Sequence, residues 1–133
     1  MIKPMLKIKK KRSQTPGYWR RKCDKKIQEI GRLTYDKCEV CGGEYSCQHH
    51  FFPKSQSTHL RYNWKNLISV CQKCHFAHHN GDPTVHATVI FNRGEDWYEE
   101  LKRERNKHLY TKAGYKYFEN MFNNLDKITP YEV

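Results

Sequence analysis

No run of 18 apolar residues occurs in this sequence, so no segment is expected to cross a membrane as a helix. The N-terminus is basic, but no apolar stretch follows it, which argues against a secretory signal. A cytoplasmic protein is the expectation. Apolar residues are also scarce, at 37% of 133 residues. A chain this small buries a modest core near the limit of what burial alone stabilises, so a further staple is expected. Acidic residues are few as well: 14 Asp and Glu against 25 Lys and Arg, a net charge of +11. That balance favours a polyanionic partner, because neutralising phosphates releases counterions. Internal repeats are lacking, and nothing marks a second domain.

What charge there is lies unevenly. Residues 1–37 hold 13 Lys or Arg and 3 Asp or Glu, and the remaining residues hold 12 and 11. The basic character therefore belongs to the N-terminal part. Lys9, Lys10, Lys11 and Arg12 close a basic run that passes into Ser13-Gln14-Thr15-Pro16-Gly17, a stretch with turn chemistry and little to bury. It reads as a basic arm suited to a DNA backbone, or as a solvated tail. From Tyr18 to Leu33, Trp19, Cys23, Ile27 and Ile30 recur at helical spacing, with Arg20 and Arg21 on other faces. Gly31 is expected to weaken or end this helix.

Six cysteines in a reducing compartment point to metal rather than disulfides. Cys38-x-x-Cys41 precedes Gly42-Gly43, and Cys71-x-x-Cys74 begins 30 residues after Cys41. Two such knuckles suit one tetrahedral four-thiolate zinc site. A redox pair is the rival reading, but no βαβ pattern surrounds either knuckle. Cys47 is close enough to the first knuckle to stand as an alternative ligand, and Cys23 falls on the helix stripe as a small core residue.

Six histidines lie between His49 and His79. Gln48-His49-His50-Phe51-Phe52 reads as a strand in which the two phenylalanines continue past His50. Leu67-Ile68-Ser69-Val70 is a second β-type run, antiparallel to the first across a long loop. The second knuckle leads into a helix on which His75 and His79, four apart, share a face and could grip one ion. His78 lies near that face and stays open as a substitute. His59 reads as a surface residue of the loop. Further on, Asp82-Pro83 starts a helix to about Phe91, Gly94 breaks it, and Glu95–His108 forms a second with Trp97 and Leu101 inward. A last helix over 112–125 carries Tyr115, Phe118, Met121, Phe122 and Leu125 as its apolar stripe.

The order His49-His50, then Asn66, then His75-x-x-x-His79 resembles the HNH, or ββα-metal, nuclease motif. Asn66 falls 16 residues after His50 and 9 before His75. The resemblance implies an α+β fold, with a zinc-stapled ββα-metal core at 38–82. A basic arm and helix at 1–37 and a helical extension at 83–133 complete it. It implies that His49, His75 and His79 bind the catalytic ion. It further implies that His50 is the general base and that Asn66 holds the loop and orients His50. Magnesium or manganese is the implied catalytic ion, with zinc or nickel as alternatives that three imidazoles would hold more tightly. Lys54, Arg61 and Lys65 would position the phosphate backbone together with Lys9, Lys10, Lys11, Arg12, Arg20 and Arg21. The wider layout runs from a Tyr-Trp-basic helix through CxxC-Gly and Leu60-Arg61-Tyr62-Asn63 to a helical tail. It is similar to the phage NinG (Rap) family of recombination nucleases. That likeness implies branched DNA as substrate, such as Holliday junctions or displacement loops. A homodimer would suit a symmetric junction, with the terminal aromatic helix as a candidate interface. The rival function is a non-catalytic zinc module that binds nucleic acid.

Overall fold

The computed structural model describes residues 11–109 and 112–132. Lys9 and Lys10 lie outside the described residues. Among those described, no helix is long and apolar enough to cross a membrane.

Pro16 at the first helical position, with its φ preset, starts helix α1 (Pro16–Thr34) after a short 3-10 turn at Arg12–Gln14. Its stripe is as the periodicity predicts: Cys23 and Ile27 are buried. Gly31 does not end it. The helix runs on to Thr34, and Gly31 serves close approach instead. A Cβ there would come 2.8 Å from the Gln48 Cγ and would meet the Tyr45 hydroxyl closer still.

Strands β1 (Cys47–His50) and β2 (Leu67–Val70) form an antiparallel pair in the register Cys47↔Val70, Gln48↔Ser69, His49↔Ile68, His50↔Leu67. The expected extension of β1 through Phe51 and Phe52 is wrong. The strand stops at His50 and the chain bends. Successive residues of a strand face opposite sides, yet Phe51 and Phe52 both turn into one core, at 2% and 5% exposure. Pro53 follows and Asn66 grips the Phe52 backbone, so the bend is fixed from both ends.

Every residue of β2 is buried, because the two-stranded sheet is covered on both faces. Ile68 and Val70 join a core with Phe51, Phe52, Leu60, Val85, Val89, Trp97 and Leu101. This core is shared with α2 (Gln72–His79), α3 (Pro83–Arg93) and α4 (Glu95–Lys107). Leu67 joins a second core with Cys23, Ile27, Tyr62, Trp64, Phe118 and Leu125, contributed by α1 and α5 (Tyr115–Asn124), with a 3-10 turn at Leu125–Lys127. The sheet is thus the middle of three layers.

Local chemistry sets the breaks. Asp82 caps α3 by accepting from Thr84 N–H at 2.8 Å, with Pro83 at the first position. Gly94 adopts φ 101°, a conformation L side chains avoid, and so separates α3 from α4 as its sequence position suggests. The apolar stripe of α5 packs partly within the chain. Phe118 is buried and Phe122 packs on Trp19, with ring centroids 5.7 Å apart.

Candidate metal centre and histidine cleft

The cysteine cluster begins with two tight turns. Cys38 and Cys41 flank a turn closed by Gly42 N–H to Cys38 O at 2.9 Å. Cys71 caps α2, its sulfur accepting from the Cys74 N–H at 3.3 Å, and Gly43 N–H donates to Cys41 Sγ at 3.4 Å. Such N–H groups stabilise thiolates. The Cys71 thiol is drawn down to about 7, first by the Cys74 amide, while burial pushes Cys74 up. The four sulfurs lie within 4.8 Å of one another, and Cys41 and Cys71 are 3.6 Å apart. Tetrahedral bonds of about 2.3 Å place sulfurs roughly 3.8 Å apart, so the cluster fits one structural metal ion. Cys47 stands outside it and Cys23 is core, its thiol meeting Phe118 O at 3.4 Å.

A buried ion pair clamps this centre to the sheet. Glu39, between the knuckle cysteines, takes both Arg93 Nε and Nη2 at 2.9 Å and also accepts from Ser69 N–H at 2.9 Å. Arg93 further donates to the carbonyls of Lys65 (3.1 Å) and Leu67 (2.8 Å). The side chains are 1% and 4% exposed. Neither residue carries a local sequence signal for this pairing.

His49 and His50 leave β1 on opposite faces. His49 turns to α2, where its ring meets those of His75 at 4.5 Å and His78 at 4.8 Å, both edge to face. His79 is exposed and lines the same cavity, of about 630 Å³. Burial, with the neighbouring imidazoles, pushes His49 down to about 3. His78 Nδ1 is buried with no hydrogen-bond partner, and the His78 ring stacks beside Phe51. Imidazole nitrogens, one of them unspent, are donors of the type a divalent cation takes, although among the described residues no three of these histidines bring their donor atoms within 4.8 Å of one another as the cysteines do. The structure keeps both His78 and His79 at the cleft.

His50 lies on the other side of the strand. Its Nε2–H donates to the Arg61 carbonyl at 2.9 Å, which leaves the lone pair on Nδ1. Burial lowers its pKa, and the charges of Arg61 and Lys54 add to that, against the Arg61 carbonyl and Asp24, which raise it. The loop that supplies this carbonyl is held by Asn66, fully buried after β1's long connection. Asn66 Oδ1 accepts from Phe52 N–H at 2.8 Å, and Nδ2 donates to the carbonyls of Phe52 (3.1 Å) and Leu60 (3.3 Å). One side chain thus closes both ends of the loop.

Helix α1 forms the cleft's far wall. Gln28 pairs with both backbone groups of Gln48 at 2.9 Å, as a third strand would, and so covers the edge of β1. Asp24 holds Arg61 (Nη2 to Oδ2, 2.9 Å) and accepts from the Tyr62 hydroxyl at 2.8 Å. Asp24 was missed in the sequence because its partner is 37 residues away. Arg61, expected to position phosphate, lines the cleft with its guanidinium paired to Asp24 and its side chain 15% exposed. Lys54 is exposed at the rim of the cleft. Lys65 is exposed too, but it borders a different cavity of about 370 Å³ and reaches toward Glu100. Lys11, Arg12, Arg20 and Arg21 are exposed along the start of α1.

Residues 38–81 match the HNH endonuclease family model. The match takes in both cysteine knuckles, the sheet, its long loop and α2. No curated protein and no solved structure matches the chain. The HNH segment carries His49, His50, Asn66, His75, His78 and His79. Helix α1, outside the segment, supplies Asp24 and the cleft wall.

Proposed function

We propose that this protein is a metal-dependent HNH endonuclease that hydrolyses DNA phosphodiester bonds, with His50 as general base. The observation that carries the reading is the division of labour across β1. His50 is half-buried, its pKa lowered, and fixed by one ring nitrogen, while His49 faces the imidazoles of α2 on the opposite side. The lone pair on His50 Nδ1 takes a proton from water, which attacks phosphorus in line as the bond to the departing 3′ oxygen breaks. His49 and His75, with His79 or His78, would hold the divalent cation. That ion, when bound, neutralises charge developing on the phosphate and leaving oxygen. Asn66 keeps the Arg61 carbonyl where His50 needs it. The four cysteines would hold a structural zinc, which would anchor the start of α2, and hence His75.

The exposed basic residues of α1, with Lys54, suit backbone contacts, which set register without reading bases. The resemblance of the layout to that of the NinG (Rap) nucleases is what favours branched recombination intermediates, such as Holliday junctions or displacement loops, as the DNA presented. The test uses duplex, flap, displacement-loop and four-way junction DNA with Mg²⁺ or Mn²⁺, and with chelator. Cleavage that needs the metal, and is faster on branched forms, is expected. Binding without cleavage of any substrate in any metal would favour a non-catalytic zinc module.

A further inference from the structure

We propose that His59, Glu104 and His108 form a separate divalent-cation site of the two-histidine, one-carboxylate class, which staples the loop between the strands to the end of α4. Glu104 and His108 are four residues apart, one turn along α4 and its C-cap. His59 comes from the loop, 45 residues away from Glu104 in sequence. Their donor atoms nevertheless lie within 4.8 Å of one another. The two imidazoles stack with centroids 4.0 Å apart, and His59 Nε2 is 3.6 Å from Glu104 Oε2. The other carboxylate oxygen, Oε1, faces Lys107 Nζ at 3.5 Å.

An ion pair would use one imidazole. Here two imidazoles and a carboxylate, from a loop and from α4 and its C-cap, bring their donor atoms within one ion's reach. The His59 and Glu104 side chains are 40% and 36% exposed, so an ion can enter from solvent and water can complete its shell. Two imidazole nitrogens and one carboxylate favour zinc, nickel, cobalt or copper over magnesium and calcium. The site stands on its own donors, apart from the cysteines and the histidine cleft. It bears on the loop whose Arg61 carbonyl receives the His50 N–H.

The experiment is a nickel titration of the full chain, zinc-loaded at its cysteines, by equilibrium dialysis and elemental analysis. The double variant His59→Ala/His108→Ala is expected to bind one equivalent fewer than wild type. His49→Ala is expected to lose a different equivalent, so that combining the two sets loses both. Glu104→Gln preserves shape and is expected to weaken nickel binding by at least about tenfold, a loss that even outer partners of metal ligands produce. Circular dichroism checks that each variant is folded. If the double variant unfolds, Glu104→Gln decides. Wild-type stoichiometry and affinity in a folded double variant, or in Glu104→Gln, would overturn the site and leave an ion pair only.

Discussion

Replacing Asn66 by alanine removes three hydrogen bonds at a position with no access to solvent. The Phe52 amide loses its acceptor, and the carbonyls of Phe52 and Leu60 lose a donor. A buried polar group left unsatisfied costs about 1–3 kcal/mol. The amide has a single proton to place and bears the full cost, whereas the carbonyl bonded at 3.3 Å gives up less. The expected total is about 3–5 kcal/mol, against a whole-domain stability of about 5–15 kcal/mol. Asn66→Asp should not rescue it, since a carboxylate accepts from Phe52 N–H but cannot donate to either carbonyl. Urea unfolding of the zinc-loaded protein, followed by fluorescence of the buried Trp64 and Trp97, measures the change. A loss below about 1 kcal/mol with an unchanged slope would refute the reasoning. Under conditions where the variant remains folded, cleavage should still fall by about 10²-fold, because the loop that orients His50 is no longer held.

Arg93→Ala should cost about 3–5 kcal/mol in the same assay, since it leaves Glu39 charged and buried. Converting both partners to methionine should cost less than the two single changes added together. The depressed pKa of His50 fixes the sign of a pH effect. The base is active when neutral, so at saturating metal the rate should rise with pH along an acid limb that lies below that of an ordinary histidine. An apparent pKa above 7 would contradict the burial argument. Asp24→Asn removes the carboxylate that raises the His50 pKa, so the acid limb should move lower still, with kcat reduced about tenfold as the Arg61 loop loosens. Elemental analysis of protein purified without chelator should find tightly held zinc, with one equivalent fewer in Cys38→Ser; zinc-free wild type would sink the four-cysteine assignment.

The parts of this molecule that are legible in its sequence are those whose partners are near in the chain or fixed by spacing. Two CxxC turns announce themselves because each knuckle is a local structure. Pro83 and Gly94 mark helix boundaries through their own backbone chemistry, and Leu67–Val70 reads as buried because its apolar run faces two cores. The interval from His50 through Asn66 to His75 suggests the cleft. Pairings made by tertiary placement are not legible. Glu39 and Arg93 are 54 residues apart, and Asp24 and Arg61 are 37 apart. Each is one charged residue among many until the fold joins them. Gly31 looks like a helix terminator because its periodicity says nothing of Tyr45 and Gln48 arriving opposite. Phe51 and Phe52 extend an apolar pattern, yet the loop closure by Asn66 turns both inward. His59 looks like a surface histidine until α4 brings Glu104 and His108 against it.

The central claim is that His50 activates water for cleavage of a DNA phosphodiester. The most direct measurement compares wild type with His50→Ala on supercoiled plasmid in Mn²⁺, with both proteins zinc-loaded and shown to be folded. Positioned proton transfer contributes typically about 10²–10⁴-fold, so a rate loss of that order is predicted, with binding to the same DNA retained. Equal cleavage by His50→Ala and wild type would contradict the account.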